Sequence, residues 1–175
     1  VKLKGVSKNE QPHRTLQREG VAGVILAIDP GNEKSAYAVL GERLKPVEFG
    51  IVQNVVALGV CKDLGDCEDA ELAIEMVASY GMPVGESVFE TVFWIGRFWE
   101  AFNGQKTKVY RKDVKMNLCH SMKAKDGNIR QALIDRFGPV GIKKNPGWFY
   151  GVSKDVWSAI AVGVTYADMK AKGAV

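Results

Sequence analysis

Residues 24–32 read Val-Ile-Leu-Ala-Ile-Asp-Pro-Gly-Asn, an apolar run that stops on an acid and then breaks at Pro30-Gly31. A run this apolar, built of β-branched and small residues, predicts a strand covered on both faces, and Pro-Gly ends it in a tight turn. The strand therefore delivers the Asp29 carboxylate to its end. Burying that group costs several kcal/mol unless a positive charge neutralises it, and a metal ion is the simplest such partner. The alternative is an Asp that merely opens the turn.

Two further segments repeat the theme. Leu72-Ala73-Ile74-Glu75-Met76-Val77 is a second apolar run with an acid inside it, and Gly81-Met82-Pro83 breaks the chain soon after. The last helix is predicted to start near Ser153 as its N-cap, with Asp155 in its first turn, where the helix dipole favours a negative charge. Between these acids, 24–29, 35–40 and 47–53 read as three consecutive antiparallel strands parted by turn residues. Residues 54–69 fit either an imperfect helix or a covering loop. Residues 86–102 form a helix with Val88, Phe89, Val92, Phe93, Ile95, Phe98, Trp99 and Phe102 on an unusually wide apolar face, wide enough for a dimer contact. A fifth strand at 107–111, a short helix at 113–119 capped by Asp113, a helix through Phe137 capped by Asp126, and a loop rich in Pro, Gly and aromatics at 138–151 complete the chain.

The expected fold is α/β, a five-stranded mixed sheet of three antiparallel strands followed by parallel ones, flanked by helices. A β-α-β crossover after three antiparallel strands sets the fourth strand beside the first, so Asp29 and Glu75 come to face one another. Several carboxylates together repel unless cations bridge them, and hard oxygen ligands select Mg²⁺ or Mn²⁺ over zinc. Two such ions about 4 Å apart suit phosphodiester hydrolysis.

The chain has 175 residues, enough for one domain with its own core, and 24 Lys and Arg against 20 Asp and Glu. The excess is mild, and its placement says more than its size. Residues 1–20 carry Lys2, Lys4, Lys8, Arg14 and Arg18 and read as a flexible basic arm ahead of a domain at 21–175. Residues 106–125 are rich in Lys and Arg and poor in acids. Cys61, Cys67 and Cys119 give an odd count without framework spacing, and with His13 and His120 they show no zinc-site spacing. A reducing, cytoplasmic setting is expected, with neither membrane span nor secretory signal. Gly81-Met82-Pro83-Val84-Gly85 lacks the Lys and the spacing of a phosphate-binding loop, so no nucleotide cofactor is expected. With His only at 13 and 120, no Ser-His-Asp set is credible, and water is the expected nucleophile.

Asp29-Pro30-Gly31 through Ser35-Ala36-Tyr37-Ala38-Val39, then Ala73-Ile74-Glu75, then Lys154-Asp155-Val156-Trp157-Ser158-Ala159-Ile160-Ala161, resemble in order the three signature segments of RuvC-type Holliday junction resolvases. The resemblance spans about residues 24–167. It implies a ribonuclease H-like fold and a homodimer, joined through the helix 86–102, that nicks opposing strands of a four-way DNA junction with two Mg²⁺ ions per site, Mn²⁺ substituting. The family is bacterial or phage-encoded, which implies bacterial or host cytoplasm. Asp29, Glu75 and Asp155 match three of its four metal-binding acids, and the fourth position is Ser158, a departure. A neutral hydroxyl there implies a weaker second metal, water in its place, or recruitment of another acid. Lys115 matches a family lysine that touches DNA and serves the active site. The second such lysine falls at Asp126 in an ungapped comparison, with Lys125 beside it and Lys123 close. Phosphate contacts are expected from Lys112, Lys115, Lys123, Lys125 and Arg130. Where members carry a base-stacking aromatic this chain has Ala78, and Tyr80 is the candidate to replace it.

Three functions follow. The first is the structure-selective endonuclease, the second a junction-binding protein without catalysis, for which Ser158 argues, and the third a ribonuclease H-like enzyme acting on RNA or flaps.

Overall fold

The computed structural model describes residues 23–79, 81 and 83–175; the expected basic arm and Tyr80 lie outside the described residues. Strand β1 (Val24–Asp29) pairs antiparallel with β2 (Lys34–Leu40), which pairs antiparallel with β3 (Pro46–Gln53). Helix α1 (Asn54–Gly65) follows, so the segment left open between helix and loop is helical. It returns the chain to β4 (Ala70–Met76), parallel to β1, and α2 (Glu86–Ala101) returns it again to β5 (Gln105–Tyr110), parallel to β4. The sheet order is β3-β2-β1-β4-β5, the expected mixed sheet. Helices α3 (Arg111–Cys119), α4 (Asp126–Phe137) and α5 (Val156–Ala171) complete the domain. Among the described residues no helix is long and apolar enough to cross a membrane.

Because strand side chains alternate, each sheet face has its own core. Leu26, Ile28, Leu72 and Ile74 pack with α1 and α2, whereas the smaller Ala36, Ala38 and Ala73 face α3, α4 and α5. Small residues let α5 lie close to the sheet, and the contact is tightest at Gly163. A Cβ there would sit 2.6 Å from Leu40 Cδ1 and 2.9 Å from Ala27 Cβ. Gly to Ala in an exposed helix gains about 1 kcal/mol. Here Leu40 and Ala27 are fully buried and have nowhere to go. Gly163→Ala is therefore expected to lower stability by about 1–3 kcal/mol, read as a fall in melting temperature; an unchanged or higher value would refute the close packing.

Several local expectations are corrected. Asp126 is not the cap of α4: Lys125 holds that position, and its amide donates to Asn128 Oδ1 at 2.9 Å, while Asp126 pairs with Arg111. Asp113 lies inside α3, not before it, and accepts the Tyr110 amide at 3.1 Å. Helix α5 begins at Val156, not near Ser153, with Asp155 at its N-cap making no side-chain capping bond. Lys154 before it takes a left-handed backbone (φ 49°), in the turn of Lys154 and Asp155 that enters the helix. The loop 138–151 contains a short hairpin, β6 (Gly141–Ile142) with β7 (Asn145–Pro146). The wide face of α2 divides: Ile95, Phe98 and Phe102 are core, while Phe89 and Phe93 are 63% and 60% exposed.

Candidate metal and nucleic-acid site

The parallel register that sets Ile28 beside Ile74 brings the next residues, Asp29 and Glu75, to the same end of adjacent strands. Both follow an alanine by two residues, so both project toward the α5 side, where Asp155 stands at the helix start. Asp29 is held in place by the turn behind it. Ser35 Oγ accepts the Gly31 amide at 3.3 Å and donates to Asn54 Oδ1 at 2.7 Å, and Asn54 Nδ2 donates to the Gly31 carbonyl at 2.9 Å. Ser35 and Asn54 are both buried, so the clamp is shielded from water. Gly31 is required in it, since a Cβ would lie 2.3 Å from the Lys34 carbonyl oxygen.

The electrostatics follow from this convergence. Burial, then Glu75 and Asp155, push the Asp29 carboxyl up to about 7, against the opposing pull of Arg111 and a hydrogen bond with Ser158. Glu75 is also raised, by burial first and by Asp126, while Arg111 draws it down. Arg111 is the residue that sequence reasoning missed. Its guanidinium lies 3.8 Å from Glu75 Oε2 and pairs on its other side with the exposed Asp126. A usable signal existed: Glu75 is level with Val109 on β5, so the first cation after that strand arrives at the acid-bearing end of the sheet.

Two clefts meet at Lys154 and Asp155. One, of about 440 Å³, is lined by Arg111, Asp126, Arg130, Trp157 and Ser158 among others. The second, of about 590 Å³, holds Asp29, Pro30, Gly31, Lys34, Lys154 and Asp155. Arg130 reaches the first cleft and lies 4.9 Å over the Trp157 ring. Lys34 and Lys154 flank the acids and were not among the expected contacts. The other expected cations are placed around the site, not in it. Lys112 lies over the Tyr110 ring, Lys115 Nζ donates to the Met122 carbonyl at 3.4 Å, and Lys125 begins α4. Lys123 borders a separate hollow between the end of α3 and α4. Asp168 is engaged elsewhere, by Arg136 at 2.6 and 2.9 Å and by Asn117 at 2.7 Å, which fixes the other end of α5.

Among the described residues, no three His, Cys, Asp or Glu side chains are gathered so as to cage a metal ion unaided. The donors that do converge are hard oxygens on an open cleft. Mg²⁺ is commonly held in this way, by one or two carboxylates with water and substrate phosphate completing its shell. Asp29 with either Glu75 or Asp155 would fit such an ion, two carboxylates at a time.

The three-dimensional arrangement is that of a known fold. The chain is similar to Thermus thermophilus RuvC, with a TM-score of 0.64 and 17% identity over 86% of this chain and 97% of that one. It is likewise similar to T. thermophilus RuvC in complex with a Holliday junction substrate, with a TM-score of 0.66 and 17% identity over 87% and 97%. No protein-family model and no curated protein sequence matches the chain. The domain thus has a RuvC-like, ribonuclease H-like fold.

Proposed function

We propose that this protein is a metal-dependent endonuclease that resolves four-way DNA junctions. The observation that carries the reading is the convergence of Asp29, Glu75 and Asp155 at the open end of β1, β4 and α5 on a RuvC-like fold. Asp29 and Glu75 hold Mg²⁺ or Mn²⁺, Asp155 adds a third carboxylate, and Ser158 orients Asp29 through its hydroxyl. An ion held there would supply an activated water and a counter-charge for the leaving oxygen. Lys34, Lys112, Lys115, Lys123, Lys125, Arg130 and Lys154 bind phosphates without reading sequence, which gives affinity a steep salt dependence. Tyr80 is the candidate base-stacking residue.

The exposed Phe89, Val92 and Phe93 on α2 support a homodimer through this helix. Phe89→Glu/Phe93→Glu is expected to sediment as a monomer and to turn paired nicks into single ones. A wild-type monomer by sedimentation would remove the dimer from the proposal.

The deciding experiment incubates the full chain with a labelled four-way junction, duplex, flap and RNA/DNA hybrid in Mg²⁺ or Mn²⁺. Paired symmetric nicks confined to the junction support the resolvase. Tight junction binding without nicks in either metal would favour the non-catalytic reading that the neutral Ser158 invites, and preferential cutting of hybrid or flap would favour the third.

A further inference from the structure

Resting on that nuclease reading, we infer that Arg111 is a built-in second cation, so that the site works with one divalent ion and a guanidinium in place of two metals. Two independent observations carry this. The guanidinium lies between carboxylates from different elements, Glu75 at the end of β4 and Asp126 at the start of α4, the kind of gap that a bridging ion fills. The position three residues after Asp155, one helical turn on and on the same cleft, is the neutral Ser158. Asp29, Glu75, Asp155 and Asp126 carry four negative charges when ionised, and the guanidinium answers part of that charge from within the protein, where a second divalent ion would otherwise be needed.

The placement suits the task. Arg111 is the first residue of α3, directly after β5, and it borders the cleft that Asp155, Asp126 and Ser158 line, next to the cleft that holds Asp29. A guanidinium presents several N–H donors in a planar fork that matches two phosphate oxygens, and it keeps its charge at any working pH. Held by Glu75 and Asp126, it is oriented before substrate arrives. It steadies the negative charge that gathers on the phosphate as the bond to the leaving oxygen breaks, and that oxygen departs with a proton from water. Asp126 is a positioning residue, acting through Arg111.

The test reads metal affinity beside activity. In the wild type, the rate of junction nicking should rise with the first power of Mg²⁺ concentration, and Mn²⁺ titrated into the protein should give the electron paramagnetic resonance signal of an isolated ion. Arg111→Ala should nick about 10²–10³-fold more slowly. It should also bind Mn²⁺ about tenfold more tightly, because a positive charge beside Glu75 has gone. Arg111→Lys, which keeps the charge without the fork, should restore the wild-type Mn²⁺ affinity and recover only part of the lost rate. A rate rising with the square of Mg²⁺ concentration, or a spin-coupled Mn²⁺ pair in the wild type, would overturn the inference and leave the nuclease standing. So would an Arg111→Ala protein, folded by thermal melting, that lost Mn²⁺ affinity together with rate. A wild type that neither nicks junctions nor binds Mn²⁺ would overturn the nuclease reading and the inference with it.

Discussion

Asp29→Asn is expected to abolish junction nicking and, in the same preparation, to raise the melting temperature of the metal-free protein at pH 8 by roughly 8–16 °C. The two effects share one cause. Asp29 is buried beside Glu75 and Asp155, and its carboxyl is pushed up to about 7 from an ordinary value of 3.8. A folded-state value above the unfolded one means that the folded protein prefers the protonated acid. That preference contributes fully to stability below about pH 4 and is lost as pH rises through 7. Above pH 7 the fold carries a buried charge at a disadvantage on the order of 4 kcal/mol relative to the neutral acid. Asparagine resembles the protonated acid at every pH. The gap in melting temperature between variant and wild type should therefore be small at pH 4–5, widen through pH 6–7 and level off by pH 8. Mg²⁺ should raise the wild-type value at pH 8 and leave that of Asp29→Asn nearly unmoved, since a cation offsets the same charge. Calorimetry across this range checks both. A gap of equal size at pH 5 and pH 8 would mean that Asp29 is an ordinary carboxylate, and the argument for a cation at this position would fall with it.

How much of this was legible in the sequence depended on how local the signal was. β1 and β4 were clear because an apolar run bounded by Pro or Gly leaves few alternatives, and their pairing followed from the handedness of a crossover between them. The meeting of Asp29 with Glu75 was thus predictable from strand order alone. Arg111 was not, because its role depends on β5 being level with β4 and on Asp126 being released from its expected capping duty. That release turned on Asn128, two residues further on, accepting the Lys125 amide. Propensity names both residues as good caps and does not choose between them. The clamp of Ser35 and Asn54 was equally hidden: it joins residues 19 apart in the chain through a buried pair of short polar side chains. The width of the α2 face was visible, but only the packing against α1 and the sheet decides which aromatics are core and which remain exposed.

The aromatic loop before α5 has the second large effect. Phe149 is fully buried, with its ring 4.9 Å from that of Trp157 and 6.1 Å edge-on from that of Phe137. Its carbonyl accepts the Val152 amide at 3.0 Å, which closes the turn leading to Lys154 and Asp155. The side chain therefore supports both the core and the backbone that presents the third acid. Phe149→Ala is expected to cost about 3–5 kcal/mol, since the ring fills a space its neighbours cannot collapse into. For a chain of this size that is a fall of about 10 °C or more in melting temperature. Loss of packing under Trp157 should also let the start of α5 move, and misplacement by about 1 Å at a reacting site costs on the order of 10²-fold in rate. The two consequences separate when nicking is measured at 10–15 °C, where the variant is still folded by circular dichroism. A rate reduced about 10²-fold there, with Mn²⁺ affinity weakened, locates the effect at Asp155. Phe149→Leu keeps most of the volume and should restore both. Full activity for the folded alanine variant would show that the β4 and β1 acids suffice, and that the start of α5 holds its place without the loop.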